Sequence, residues 1–313
     1  MLGRELDAQV HPYATLAYAN TLAHAGRPYH VQEWQSYVIQ RDCTPHAADA
    51  TGPYPLTCIA PGSAIGEGLE RLRLAGMVSV TLVVDDLVGP PRAALAATFP
   101  LVRPFKTHYL VDASSGPYQP TAHHRHEIRR AAQRGVEVRI VALPDVLESW
   151  TALYESLIVR HRITGIQRFT GVSFAALVQC RGLTTVAAFI GQEMVSCHLW
   201  FEHDGYVWSH LAVSSERGYL NGAAYLVYDH SIRHFAGQVV NLGGAAGTGD
   251  AAGDGLARFK AGFANRTHGA LLCGAVLDQV TYDALSAERG TIMSEYFPAY
   301  RAPLRTNVLP HET

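Results

Sequence analysis

The sequence predicts an α+β fold, on three observations. Nearly half of the 313 residues are hydrophobic and only 17% are charged, a composition typical of a packed globular protein. Three strand-like segments follow closely at residues 184–190, 194–201 and 206–213, joined by short polar turns that are typical of antiparallel hairpins. Segments with helical spacing flank this meander on both sides. We therefore expect a largely antiparallel sheet covered by helices.

The first part of the chain carries secondary-structure patterns but no concentrated chemistry. A helical pattern covers residues 12–25, polar and apolar residues alternate over 30–39, and residues 78–84 form a buried-strand pattern. Turn-forming residues then dominate 112–120, which indicates a domain boundary. The predicted domains are residues 1–115 and residues 116–313.

The second part begins with a basic helix. Thr121 follows Pro120 and suits an N-cap, and Gly135 suits a C-terminal stop. The other predicted elements, in order, are a strand at 136–141, helices at 145–160 and 173–180, the three-strand meander, a helix at 222–235, a strand at 239–242, a glycine-rich loop at 243–255, a strand at 270–277 and a helix at 282–289.

Charge, cysteine and histidine patterns narrow the function classes. The formal net charge is −2, so any RNA partner has to be met by a local basic surface. The five cysteines are odd in number and never form a C-x-x-C pair, which argues against a disulfide framework or a thiolate zinc site. His123, His124 and His126 lack the H-E-x-x-H spacing, so no metal site is predicted.

Membrane insertion and secretion are not expected. The sequence has no run of eighteen apolar residues, and its first residues have neither a basic nor an apolar leader region. The expected compartment is the cytoplasm. No pattern indicates an oligomeric state.

Three motifs between residues 120 and 263 resemble a known family. They are the basic helix 124–135, the strand end Val240-Asn241-Leu242-Gly243-Gly244, and segment 255–263 with its Phe-Lys pair. Together with the order of elements, they resemble the GNAT acyltransferase fold and, more narrowly, its Fem-type branch, which includes transferases that take aminoacyl groups from tRNA. The resemblance implies two GNAT-like lobes, each a mixed, largely antiparallel sheet flanked by helices, with residues 1–115 as a degenerate copy.

The resemblance implies an amide-forming acyltransferase. It would move an aminoacyl group from aminoacyl-tRNA, its co-substrate, to the amine of a small molecule or peptide, with no permanently bound cofactor. Two departures leave alternatives open: Tyr219 stands where coenzyme-A-dependent enzymes carry Gln or Arg, and Asn241 stands where the family often has Asp. An acyl-CoA-dependent N-acetyltransferase is one alternative, and a non-catalytic binding protein on a transferase fold is another.

Lys260 is the strongest catalytic candidate. In a Fem-like site its ammonium would stabilise the oxyanion that develops on the attacked carbonyl, a role worth about a hundred- to a thousand-fold in rate. Phe259, its neighbour, would help to bind the donor. The alternative is a surface lysine beside core residues, because Phe259 and Phe263 are i,i+4 partners.

The donor site is predicted along the last meander strand and the turn after it. Tyr219, Gly222 and Ala224 form a small-residue turn before a helix start, which suits a donor phosphate or is only a tight connection. The remaining donor-binding candidates are Trp208, Leu211 and Val213.

A general base is predicted close to these residues. Trp208 and His210 share one face of the strand, and His210 is a candidate base; a buried, hydrogen-bonded histidine is the alternative. The glycine-rich loop 243–255 suits a lid that brings Asp250 or Asp254 to the acceptor amine, or is a flexible connector.

Four arginines of the basic helix are candidates for RNA phosphate contacts. They recur at i,i+4 spacing on the helix, and each contact would add nearly one unit to the salt dependence of binding. A solvated helix face is the alternative. The four are Arg125, Arg129, Arg130 and Arg134.

Overall fold

A computed structural model describes residues 10–245 and 255–303. Its strands are β1 (Arg27–Val31), β2 (Ser36–Thr44), β3 (Ala47–Thr51), β4 (Met77–Val84), β5 (Leu101–Val111), β6 (Val136–Val141), β7 (Leu183–Ile190), β8 (Glu193–His203), β9 (Tyr206–Ser214), β10 (Val239–Asn241) and β11 (Arg266–Val276). Its helices are α1 (Leu16–Asn20), α2 (Ile65–Leu74), α3 (Arg92–Thr98), α4 (Ala122–Gln133), α5 (Leu143–His161), α6 (Gly171–Leu177), α7 (Glu216–Leu220), α8 (Ala223–His234), α9 (Gly255–Ala261) and α10 (Gln279–Glu288).

The strands of the described residues form one mixed sheet in the order β1-β2-β3-β4-β11-β5-β10-β9-β8-β7-β6. Only β3 with β4 and β9 with β10 pair in parallel, and all other neighbours are antiparallel. The predicted α+β class with a largely antiparallel sheet is confirmed. The two predicted sheets are joined into one.

The two halves of the sheet are connected alike. In the first half, the antiparallel meander β1-β2-β3 leads through a helix to β4, which is parallel to β3. In the second half, the antiparallel meander β7-β8-β9 leads through helices to β10, which is parallel to β9. The next strand of each half then joins the other half of the sheet. Strand β5, which follows β4, pairs with β10, and strand β11, which follows β10, pairs with β4. Strand β11 thus lies among strands of the predicted first domain, and the boundary at residue 115 stays a prediction.

Local signals account for the main elements of the second half. Thr121 caps α4 by accepting a hydrogen bond from the His124 amide, and Gly135 follows the helix at φ +77°. Strands β8 and β9 are joined through Asp204 and Gly205, both with positive φ, as a two-residue hairpin requires. The predicted basic helix and meander are therefore confirmed.

Two predictions in the first half are wrong in detail. The helix expected over 12–25 is a 3-10 turn followed by α1, because Thr15 is extended and its side chain caps the new helix at the Tyr18 amide. The alternating pattern over 30–39 is broken by a 3-10 turn at Gln32–Trp34, after which Gln35 adopts φ 49°. That interruption makes β1 and β2 a hairpin.

The second half of the sheet has a separate core on each face. One core, the aromatic core, includes Tyr13, Trp150, Phe174, Phe201 and Trp208 and packs under α1, α5 and α6. The other core, the α4 face, packs under α4, α8 and α9 and includes Trp200, Tyr228, Phe235, Phe259 and Phe263. Among the described helices, none has the length and apolar character needed to cross a bilayer.

Candidate functional site

An opening in the sheet lies where β9 and β10 part. Their parallel pairing ends at Trp208 and Asn241. Beyond this point β9 continues to Ser214 beside β8, whereas the chain after β10 follows β5, where the Tyr109 amide donates to the Gly243 carbonyl at 3.2 Å. Within the described ranges no strand pairs with the β10 side of residues 209–214, so this edge is available to a ligand.

Lys260 lies beside this opening. Phe259 of helix α9 and Phe263, two residues after this helix, pack on the α4 face, and Lys260 is only 7% exposed. Its Nζ donates to the Gly244 carbonyl at 2.7 Å, and a Cβ placed on Gly243 would lie 3.3 Å from that nitrogen. The ammonium is therefore held at the end of β10, where a carbonyl entering the opening would meet a positive charge.

A second lysine converges on the same backbone. The chain has only two lysines, Lys106 and Lys260, and both follow a phenylalanine. Lys106, on β5, donates from Nζ to the Ala245 carbonyl at 2.9 Å, one residue beyond the partner of Lys260. Sequence reasoning missed Lys106, although the scarcity of lysine and the repeated Phe-Lys pair were visible signals.

A buried histidine–serine pair borders the opening on the α4 face. Ser209 is the first residue of β9 past its pairing with β10, and its Oγ lies 2.8 Å from Nε2 of the fully buried His198. Burial, with the nearby Lys260 ammonium, holds the pKa of His198 well below its usual value. A neutral imidazole can orient the Ser209 hydroxyl but is a poor base. The sequence analysis did not identify either residue.

Asn241 connects the end of β10 to the centre of the sheet. Its Oδ1 accepts a 2.8 Å hydrogen bond from the Gly243 amide, and its Nδ2 lies 3.2 Å from Asp85 Oδ2 and 3.2 Å from His108 Nδ1. Burial lowers the pKa of His108 to about 4. The neutral amide at this position thus fixes the turn that presents the carbonyls to Lys260 and Lys106.

His210 lies on the opposite face of the sheet from Lys260. It is buried in the aromatic core, its Nδ1 is 3.5 Å from the Tyr13 hydroxyl, and burial lowers its pKa to about 3. At neutral pH such an imidazole is uncharged and weakly basic. General base catalysis by His210 stays a prediction, and this environment does not favour it.

A β-bulge explains why the faces of β9 differ from the simple alternation expected. Leu199 pairs with Leu211 but Trp200 pairs with Ser209, so His210 is an extra residue. Leu211 and Val213 consequently join Trp208 in the aromatic core, although alternation would put Leu211 on the other face. These predicted donor-binding side chains lie under helices, while their backbone follows the opening.

The predicted phosphate turn packs against the basic helix. Gly222 caps α8 at φ +72°, and a Cβ on it would lie 3.7 Å from Ala131 of α4. Arg134 donates from Nη1 to the Leu220 carbonyl at 2.7 Å. Tyr219 is 78% exposed and Ala224 is half-buried. The structure therefore joins two separately predicted groups, the donor turn and the basic helix, into one surface.

All four predicted arginines are exposed, three of them on α4 and Arg134 at its C-cap. Arg125 donates to the Pro120 carbonyl, and Arg130 lies 3.5 Å from Glu127. Exposed guanidinium groups in this setting can reach phosphates at little desolvation cost. Asp250 and Asp254 lie outside the described residues, and their predicted role stays a prediction.

No protein-family model matches the chain, and no curated protein matches it. Solved structures do. The C-terminal domain of a putative lysylphosphatidylglycerol synthetase from Agrobacterium fabrum superposes with a TM-score of 0.59 at 14% identity, over 90% of this chain and 96% of that one. L-PGS from Bacillus licheniformis gives 0.59 at 14% identity, over 87% of this chain and 91% of the other.

FemX superposes with a TM-score of 0.57 at 12% identity, over 90% of this chain and 97% of FemX. At such identities the likeness shows the fold. The chain has the GNAT-like fold of Fem-type acyltransferases, as the sequence motifs predicted.

Proposed function

We propose that the protein is an amide-forming acyltransferase whose reaction takes place at the opening between β9 and β10. The observation that carries this proposal is the buried Lys260 ammonium, held at the end of β10 beside an unpaired strand edge. Backbone amides of residues 211–213 would hold the donor along that edge. The acceptor amine attacks the acyl carbon and forms the new C–N bond, while the carbonyl oxygen takes up negative charge.

Lys260 is proposed to stabilise that oxyanion. When the intermediate collapses, the bond from the acyl carbon to the donor oxygen breaks; the amine loses a proton and the leaving oxygen gains one. The reaction therefore needs no net acid or base, and no covalent acyl-enzyme forms. Ser209 is proposed to hydrogen-bond the reacting groups, and its 2.8 Å contact with His198 Nε2 supports this role by orienting the hydroxyl.

Aminoacyl-tRNA is the proposed donor and a small-molecule or peptide amine the acceptor. Support comes from the exposed arginines of α4, which lie next to the Gly222 turn, together with the exposed Tyr219 ring on which a base can stack. Acyl-CoA is the second candidate, because the start of α8 at Gly222 also suits a pyrophosphate. A cytoplasmic location stays a prediction.

We further propose that residues 1–115 are a degenerate second copy of the same lobe. The matched connectivity of β1–β4 and β7–β10, with β5 and β11 exchanged, supports this view. In the first copy β4 is parallel to β3, as β10 is parallel to β9 in the second.

The donor proposal is tested by binding total tRNA and acetyl-CoA side by side across a salt series. We expect salt-sensitive tRNA binding. Changing both Arg129 and Arg130 to Gln should reduce the slope of log K against log salt by about 1.5 units, because each lost phosphate contact removes roughly 0.7–0.9. The control is the double variant Arg92→Gln with Arg289→Gln, at two exposed positions outside α4, which should keep the wild-type slope.

Two results would contradict the tRNA proposal. One is binding of acetyl-CoA alone, which would make the protein an N-acetyltransferase. The other is tRNA binding whose salt slope does not change in the α4 variant.

A separate expectation concerns Lys106. Lys106→Met should lower kcat of acyl transfer about tenfold, less than loss of Lys260, because Lys106 supports the Gly244–Ala245 backbone from the side of β5. Arg103→Met, an exposed change on the same strand, is the control and should leave kcat unchanged. Equal rates for Lys106→Met and wild type would remove Lys106 from the site.

A further inference from the structure

A cluster of three potential metal ligands lies at the centre of the sheet, in the half opposite the proposed acyl-transfer site. Asp85 and Asp86 directly follow β4, and His268 lies on the neighbouring strand β11. One ligand atom from each of the three lies within 4.8 Å of the other two. We propose that Asp85, Asp86 and His268 bind one divalent cation of the first transition row.

The spacing of the three groups fits a shared cation. Nε2 of His268 lies 3.1 Å from Asp85 Oδ1 and 2.7 Å from Asp86 Oδ1. Ligands about 2.1 Å from a metal in octahedral geometry are separated by roughly 3.0 Å along each edge, close to both values. Nε2 of His268 therefore already has the separation of an adjacent ligand from each carboxylate oxygen, and the three ligand atoms lie within 4.8 Å of one another.

Hydrogen bonding and ion pairing satisfy this arrangement only in part. Nε2 of His268 faces two carboxylate oxygens at short range, one from Asp85 and one from Asp86. A single ring nitrogen can offer one proton at most, so it cannot serve both oxygens. A cation in front of the nitrogen and both oxygens would satisfy all three.

The surroundings hold the ligands in place. Asp85 is 4% exposed; its Oδ1 accepts from the Leu87 amide at 2.8 Å, and its Oδ2 lies 3.2 Å from Asn241 Nδ2. Such supporting hydrogen bonds orient metal ligands in proteins. Asp86 and His268 keep side-chain exposures of 27% and 17%, which gives an ion a route from solvent.

The donor set indicates the class of cation. Two hard carboxylates with one imidazole suit Mn²⁺, Fe²⁺, Co²⁺ or Zn²⁺ better than Mg²⁺ or Ca²⁺, which prefer oxygen alone. Only three protein ligands are present in the described ranges, so water or a substrate oxygen would complete the coordination. No sequence pattern indicated this site, because His268 is distant in the chain from Asp85 and Asp86 and the three residues follow no zinc-motif spacing.

The test is a titration of the full chain with Mn²⁺ in which binding is measured as the loss of the free-ion electron paramagnetic resonance signal. We expect one Mn²⁺ per chain, and at least tenfold weaker binding in both Asp86→Asn and His268→Gln. Affinity should rise with pH, because the ion has to displace the imidazole proton. Asp283→Asn, an exposed change on α10, is the matched control and should bind as the wild type does.

Each outcome decides the question. Absence of Mn²⁺ and Co²⁺ binding at millimolar concentrations would overturn the site and leave an ion-pair cluster. Stoichiometric binding that both variants retain would place the ion elsewhere. Both substituted residues are partly exposed, so we expect the variants to fold, and far-ultraviolet circular dichroism that matches the wild type will verify this. If one variant does not fold, Co²⁺ absorption of the wild type and of the other variant gives a second measurement of binding.

Discussion

Lys260→Met should lower kcat of acyl transfer about a hundred- to a thousand-fold. Lys260 is 7% exposed and its ammonium is held by the Gly244 carbonyl, so in the proposed site it would face the developing oxyanion without reorganising. Removing one such donor from a water-excluded site typically costs that much. Methionine keeps the approximate length and packing of the side chain, so the change removes the charge and its hydrogen bond to the Gly244 carbonyl.

The measurement is single-turnover acyl transfer together with donor affinity. Loss of rate with unchanged donor affinity would show that Lys260 acts on the transition state. The matched control is Arg258→Met, an exposed position on the same helix α9, which should stay within twofold of the wild type. If Lys260→Met transferred acyl groups at the normal rate, the oxyanion role would be lost, and a non-catalytic binding protein would become the better interpretation.

Much of the fold near the site could be predicted because its signals are short in range. The Thr121 cap, the Asp204-Gly205 turn and the strand end before Gly243 each depend on residues close in sequence. The exchange of β5 and β11 could not be predicted, since strand partners are chosen across the whole chain and both strands have ordinary β-patterns.

The limits of prediction at the site have the same physical origin. Lys260 was found because its motif is local, whereas Lys106, Ser209 and His198 reach the opening from three different strands. For His210, an alternating pattern places the residue on a face but does not reveal a bulge or the aromatic core around it. A sequence pattern can thus nominate a residue, and only packing decides its protonation state.

The buried histidines should make the protein unusually sensitive to acid. Burial lowers the pKa of His11 and His210 to about 3 and that of His108 to about 4, and it also holds the pKa of His198 well below its usual value. In the unfolded chain each titrates near 6.5. Below about pH 6.5 the unfolded state therefore binds protons that the folded state excludes, and stability falls as pH falls.

The size of the effect follows from the number of protons. Each such histidine removes about 1.4 kcal/mol of unfolding free energy per pH unit between roughly pH 6 and its folded-state pKa. Because the Asp85 carboxylate raises the pKa of His268, that residue acts in the opposite direction, and its stabilisation is lost as pH rises. The net result is that the stabilisation from the neutral histidines is fully present above about pH 7 and is lost steeply between about pH 6 and pH 4.

Urea unfolding at pH 7.5, 6.5, 5.5 and 4.5 measures this slope. The midpoint should drop at each step. His210→Phe should reduce the proton uptake on unfolding by about one proton and so make the drop smaller, because phenylalanine fits the aromatic surroundings and cannot titrate. His46→Gln, at an exposed position, should leave the slope unaltered. A free energy of unfolding that stays constant from pH 7.5 to pH 4.5 would show that these imidazoles are accessible to protons in the folded protein. In that case His210 would regain its place as a candidate base for the acceptor amine.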